Sequence, residues 1–184
     1  KILRERDELR DGDPKFQASV LMRLRDEIGG IVVSPKGEPG ERPVSTARLE
    51  ALTGTLREIA AATVLDMGCG RGEFAIAAAA SGAKVCAIDA DSRAIDALYR
   101  KVTESHARIT PLVVDLADPS PAIGFLNRDR ASFLDRSFAE VALIMDRWPE
   151  LLEGFGVGLH EVATLLSRLC TRFLIVEFTD GPTI

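Results

Sequence analysis

Four aspartates stand where a side chain can do chemistry, directly after a short apolar run: Asp66 after Val64-Leu65, Asp89 after Val85 to Ile88, Asp115 after Ile109 to Val114, and Asp146 after Val141 to Met145. Between the first two lie three glycines at alternate positions, Gly68, Gly70 and Gly72, then Glu73-Phe74-Ala75-Ile76 and alanines to Ala80. A carboxylate accepts hydrogen bonds from hydroxyl or amine donors. A glycine turn opening a helix offers the complement: backbone N–H groups, the positive end of the helix dipole, and no side chain to keep a ligand at a distance. Such a turn seats an anionic or carbonyl-rich group. Asp89, seventeen residues after Gly72, is placed to accept from the two hydroxyls of a ribose.

These residues need a scaffold that brings strand ends together. The stretch from Thr63 to Asp89 reads as strand, glycine turn, small-residue helix stopped at Gly82, strand and acid, which is half of a nucleotide-binding crevice. Asp91-Ser92 offers an N-cap, and Ala94, Ile95, Leu98 and Val102 form the buried stripe of the next helix. Ile109 to Val114 is a third strand, and Pro111 suits it to a sheet edge. Val141 to Met145 and Phe173 to Phe178 are the fourth and fifth strands, separated by a helix from about Leu159 that buries Val162, Leu165, Leu166 and Leu169. Strands alternating with helices predict an α/β class, a Rossmann-like doubly wound and mostly parallel sheet.

The glycine spacing selects among cofactors. A dinucleotide fingerprint has G-x-G-x-x-G, whereas Gly68-Cys69-Gly70-Arg71-Gly72 is G-x-G-x-G with Asp66 two residues before it. Tyr99 lacks a lysine four residues on, so the Tyr-x-x-x-Lys pair of short-chain dehydrogenases is missing, and a nicotinamide-dependent reductase is disfavoured. The run VLDMGCGRG resembles the first motif of class I S-adenosylmethionine-dependent methyltransferases. The resemblance implies S-adenosyl-L-methionine as cofactor, bound by Asp66, Gly68, Cys69, Gly70, Gly72, Asp89, Ala90, Asp115 and Leu116. On it, Asp115 accepts from the adenine amino group and the Leu116 amide faces a ring nitrogen. The later segments DPSPAIGFLNRDRASFLDR and FLIVEF resemble a bacterial subgroup with an NPSPAIGW-N-ER block and an LIIEF strand. Where that subgroup has a His-His pair after the fourth strand, this chain has Pro149-Glu150, and its later Asn-Asn is Phe155-Gly156, so no role of those histidines carries over.

The expected reaction is methyl transfer to an oxygen or nitrogen of a small-molecule or glycan acceptor. Candidate general bases are Asp146 by position, then Glu150, with His160 third; Trp148 beside them lines a pocket or the core. No recognised metal-ligand spacing is present. The alternative is a methyltransferase-like binding or assembly domain without turnover, motivated by the altered His-His position and by strands that the usual seven-stranded fold has and residues 179–184 cannot supply. Either the rest lies outside this chain, or another segment, domain or chain covers the fifth-strand edge.

Composition sets the remaining bounds. At 184 residues with a formal charge of -5, the chain can bury a substantial core but lacks the overall basic surface that nucleic-acid backbones require. Its three cysteines, Cys69, Cys86 and Cys170, are odd in number without CxxC pairing and read as reduced core thiols of a cytoplasmic protein. No membrane segment or signal peptide is visible. The chain opens on Lys1, as a fragment or processed protein would. Residues 1–60 are expected to form an N-terminal helical cap, with Phe16, Val20, Leu21, Leu24 and Ile28 on one helix and Leu49, Leu52, Leu56 and Ile59 on another. Ile31 to Val33 is a candidate short strand between them, and residues 61–184 form the cofactor-binding domain.

Overall fold

The computed structural model describes residues 31–35, 44–145 and 159–178. The expected helix at 14–28 lies outside them, as do Asp146, Trp148 and Glu150. Six strands form one sheet: β1 (Ile31–Pro35), β2 (Thr63–Met67), β3 (Lys84–Asp89), β4 (Ile109–Val113), β5 (Ala139–Ile144) and β6 (Cys170–Phe178). Their spatial order is β1-β6-β5-β2-β3-β4, and every neighbouring pair is parallel. The order reverses between β2 and β5, which places a crevice beyond the carboxyl ends of those two strands. Pro111 sits in β4, the outer strand on that side, where a missing N–H breaks no ladder.

Helices α1 (Thr46–Glu58), α2 (Glu73–Ala80) and α3 (Ser92–Ser105) cover one face of the sheet, and α4 (Phe133–Arg136) with α5 (Leu159–Leu169) covers the other. Two cores result, and strand alternation divides them. In β2, Val64 enters the core with Leu52, Leu56, Phe74 and Leu98, while Leu65 and Met67 enter the one with Phe133, Val162, Leu166 and Leu169. Strands buried on both faces must be apolar throughout, which is why VLDM, VALIM and FLIV carry so few polar residues. Each fully buried Leu, Ile or Val among them contributes about 1.5–3 kcal/mol. Alanine-rich α2 has little side-chain bulk, so Ala75 and Ala78 are both fully buried against the sheet.

The N-terminal region contributes more than a cover. β1 pairs with β6 in register from Ile31 opposite Leu174 to Pro35 opposite Phe178, so of the covers expected for the β6 edge it is another segment of this chain that takes it. The segment 118–136 also differs from a plain crossover helix. Gly124 N–H donates to the Arg128 carbonyl and Arg130 N–H to the Ala122 carbonyl, forming a tight hairpin whose tip residues Leu126 and Asn127 both have positive φ, 57° and 54°. Arg130 and Arg136 each donate to the Ser120 hydroxyl at 3.3 Å, which fastens the hairpin to the start of the segment. Ser132 and Asp135 then close a capping box on α4.

Candidate functional site

Asp66 lies one residue before the end of β2, in phase with Val64, and its residue is only 1% exposed. The backbone N–H of Ala75, in the first turn of α2, faces its carboxylate. The other carboxylate oxygen, Oδ2, is buried with no hydrogen-bond partner among the described residues. Burial, then the Asp89 carboxylate, push the Asp66 pKa up to about 7, with Glu73 adding to the rise and the Ala75 amide opposing it. A buried carboxylate with one bare oxygen is an unpaid desolvation cost in the free protein, of the kind that a bound donor removes.

The glycine turn is built on this acid and the next. Gly68 and Cys69 N–H both donate to the Ile88 carbonyl, at 2.9 and 3.0 Å, which ties the turn to the end of β3. Asp89 closes it from the other side: Oδ2 accepts from Gly70 N–H at 2.8 Å and Oδ1 from Asp91 N–H at 2.9 Å. Asp89 therefore also organises the turn's backbone, a role the sequence reading missed, although Asp followed by a loop and an N-cap is a recognisable signal for it. Lys101 Nζ on α3 donates to the Arg71 carbonyl at 3.0 Å and holds the outer limb.

Two of the glycines meet different demands. At Gly72, φ is +80° and an added Cβ would lie 2.3 Å from Leu98 Cδ1, so both backbone and core require glycine. At Gly70, φ is +52° but an added Cβ would meet nothing within 4 Å. Gly72→Ala should lose about 2–4 kcal/mol of unfolding free energy through backbone strain and overpacking, measured by urea denaturation. Gly70→Ala should lose about 1–2 kcal/mol and instead place a methyl group in the open cradle above the turn.

The other expected residues fall around this centre. Cys69 is 5% exposed, and burial, then the Asp66 and Asp89 carboxylates, push its thiol pKa well up, so it is an inert neutral group in the turn. All three cysteines are free thiols. Ala90 is exposed just beyond β3. Val114 N–H donates to the Asp89 carbonyl at 3.0 Å, which extends the β3–β4 ladder to the residue before Asp115. Asp115 is exposed, with Oδ1 accepting from Ala117 N–H at 2.9 Å, and Leu116 turns into the core beside Phe133. His160 lies in α5. Among the described residues, no three His, Cys, Asp or Glu side chains gather as metal ligands would, and no helix is long and apolar enough to cross a membrane.

A parallel sheet with its order reversing beside an acid-flanked glycine turn defines a nucleotide-type cofactor crevice, and comparison with known proteins identifies its class. A methyltransferase domain family matches residues 64–128. A protein named probable cobalt-precorrin-6B C(15)-methyltransferase (decarboxylating), from Pyrobaculum aerophilum, is 32% identical over 137 residues, covering 72% of this chain and 69% of that protein. Nodulation protein NoeA of Rhizobium meliloti (strain 1021) is 31% identical over 117 residues, 63% of this chain, and the chain spans only 24% of its length. Among solved structures, WbdD superposes with a TM-score of 0.55 at 21% identity, over 85% of this chain and 35% of WbdD. An S-adenosylmethionine-dependent methyltransferase from Aquifex aeolicus gives 0.50 at 20% identity, over 71% of this chain and 66% of that one. This chain belongs to the class I S-adenosylmethionine-dependent methyltransferases, a family whose methyl donor is S-adenosylmethionine. The two structural neighbours share its fold; what each relative acts on belongs to that relative.

Proposed function

We propose that the chain is the donor-binding part of an enzyme that transfers a methyl group from S-adenosylmethionine to an oxygen or nitrogen of a small-molecule or glycan acceptor. The observation that carries this is the buried Asp66 oxygen without a partner, set beside a glycine cradle into which an added Cβ at Gly70 would project freely. The donor has what such a site lacks: an ammonium group to pair with Asp66, a carboxylate suited to the positive start of α2, and ribose hydroxyls for Asp89. Asp115 and the Leu116 amide are assigned to the adenine edge. Asp89 accepts the Gly70 and Asp91 N–H groups at the edge of the turn, which holds its carboxylate beside the glycine cradle where the ribose is assigned.

The bound donor supplies an activated methyl group on a positive sulfur, whose departure needs no assistance from the protein. The protein's share is alignment and exclusion of water, which in favourable cases lowers a barrier by about 7–11 kcal/mol. Asp146 and Glu150, following β5 in the sequence, are assigned as bases for an acceptor that must lose a proton, worth roughly 10²–10⁴-fold in rate.

Calorimetry on the protein carrying this chain should give saturable one-to-one binding of S-adenosylhomocysteine, the demethylated donor. Absence of binding to both donor and product would overturn the proposal. Transfer of labelled methyl from the donor to hydroxyl- or amine-bearing sugars and small molecules identifies the acceptor class; label found only on carbon would overturn the oxygen-or-nitrogen assignment.

A further inference from the structure

A third buried carboxylate, after Asp66 and Asp89, lies at the same end of the sheet. Glu177, next to last in β6, is paired in the ladder with Ser34 of β1, and its side chain is 0% exposed. It meets the Arg48 guanidinium from the first turn of α1 in a two-point contact: Nε donates to Oε1 at 3.2 Å and Nη2 donates to Oε2. The same guanidinium lies 5.2 Å from the centroid of the Phe74 ring, and Phe74 is the second residue of α2, directly after the glycine turn. Farther along, Thr53 Oγ1, which donates to the Leu49 carbonyl of its own helix at 2.8 Å, also lies 3.3 Å from the Ala77 carbonyl, and Arg57 Nη2 donates to the Ala80 carbonyl at 3.2 Å. Helix α1 thus meets α2 at Arg48, Thr53 and Arg57, and the Arg48 contact joins β6, α1 and the first turn of α2 together.

We propose that Arg48, paired with Glu177 and stacked on Phe74, is a positioning residue for the donor site: it fixes the start of α2, and with it the glycine turn, at the place where Asp66 and Asp89 can both reach one ligand. The guanidinium serves two needs at once, a forked contact to the Glu177 carboxylate and the aromatic ring of Phe74. Lysine has the charge but cannot satisfy both. The contact also lies in a nearly closed space, with the Arg48 side chain 11% exposed, so salt screens it weakly.

This inference rests on the donor-binding reading, and Arg48→Lys separates the two through amide hydrogen exchange without ligand and product calorimetry. Exchange at Gly70 to Ala75 should quicken in the ligand-free variant while that of β2 and β5 is unchanged. The dissociation constant for S-adenosylhomocysteine should rise about tenfold or more, and in turnover the donor KM should rise with kcat within about twofold. Because either single change could unfold the protein, the apolar pair Arg48→Met with Glu177→Leu is the companion variant: it should restore thermal stability but not the exchange protection or the affinity. Unchanged exchange in Arg48→Lys, or product affinity within twofold of the parent in the folded double variant, would overturn the proposal. Should the parent protein bind no product at all, the donor-binding reading fails, while quickened exchange still assigns Arg48 its hold on α2.

Discussion

Replacing Asp89 with alanine should lower the affinity for S-adenosylhomocysteine by at least about a hundredfold and also destabilise the free protein. The two effects have separable origins. On the proposed role, the carboxylate accepts from two ribose hydroxyls, and hydrogen bonds to an ionised acceptor are worth about 1.5–3 kcal/mol each. In the free protein the same group accepts from Gly70 and Asp91 N–H, and its removal leaves the amide of a half-buried turn without its acceptor, costing about 1–3 kcal/mol. Asp89→Asn keeps one acceptor oxygen and the shape, so it should recover most of the stability but little of the affinity. Calorimetry and denaturant unfolding on the three proteins decide it; affinity in Asp89→Ala within threefold of the parent would remove the ribose role.

Donor affinity should climb with pH between 5 and 7 and level off above about 7.5, because Asp66 titrates near 7 and only its ionised form attracts an ammonium group. Below that pKa the expected slope is about tenfold in dissociation constant per pH unit. Asp66→Asn should bind weakly with a nearly flat profile over the same window. Stability runs in the opposite sense. Folding raises this carboxyl's pKa from 3.8 to about 7, so between those values the folded state holds a proton that the unfolded state has released. The resulting stabilisation is present at the acid end, falls as pH rises through the window, and by pH 8 reverts to the bare cost of an ionised buried acid, a change of up to about 4 kcal/mol. The parent should therefore be less stable than Asp66→Asn at pH 8, with the gap narrowing towards pH 5. Thermal unfolding of both at the two pH values is the measurement; a constant gap would mean that Asp66 does not titrate in this range. On the proposed role, the residue that binds the donor also weakens the protein without it.

How much of this was legible beforehand depended on whether the physics is local. Strand β2, the glycine turn, α2 and β3 are specified by neighbours in the sequence: an apolar run, three glycines, alanines, Gly82 and a second apolar run. Structure and expectation agree there to within a residue or two. Asp91 caps α3 through Arg93 N–H as its position suggested, and Pro111 marks an outer strand. What stayed hidden is non-local. Nothing near Arg48 announces Glu177, 129 positions away, since an arginine amid Leu49 and Glu50 reads as a solvated helix residue. β1 reads only as a short apolar triplet between glycines and a proline-rich loop, and its parallel pairing with β6 has no sequence signature, because register there is set by which edge is open. The positions of Asp66 and Asp89 beside the glycine turn were legible in the sequence, but the bare Asp66 oxygen and the raised pKa are properties of the packed interior. Asp146 and Glu150 rest on sequence position alone, being outside the described residues.

The pairing of β1 with β6 also has a consequence in time. Ile31 lies opposite Leu174, so a nascent chain emerging from the ribosome carries β1 without this partner until β6 has been synthesised. Closing so large a loop costs entropy that only the finished edge can repay, and contacts of such separation form slowly. Among the described strands, β6-β5-β2-β3-β4 can pair before β1 docks, and β1 then replaces β6 as the outer strand on its side, while β4 stays the outer strand on the other.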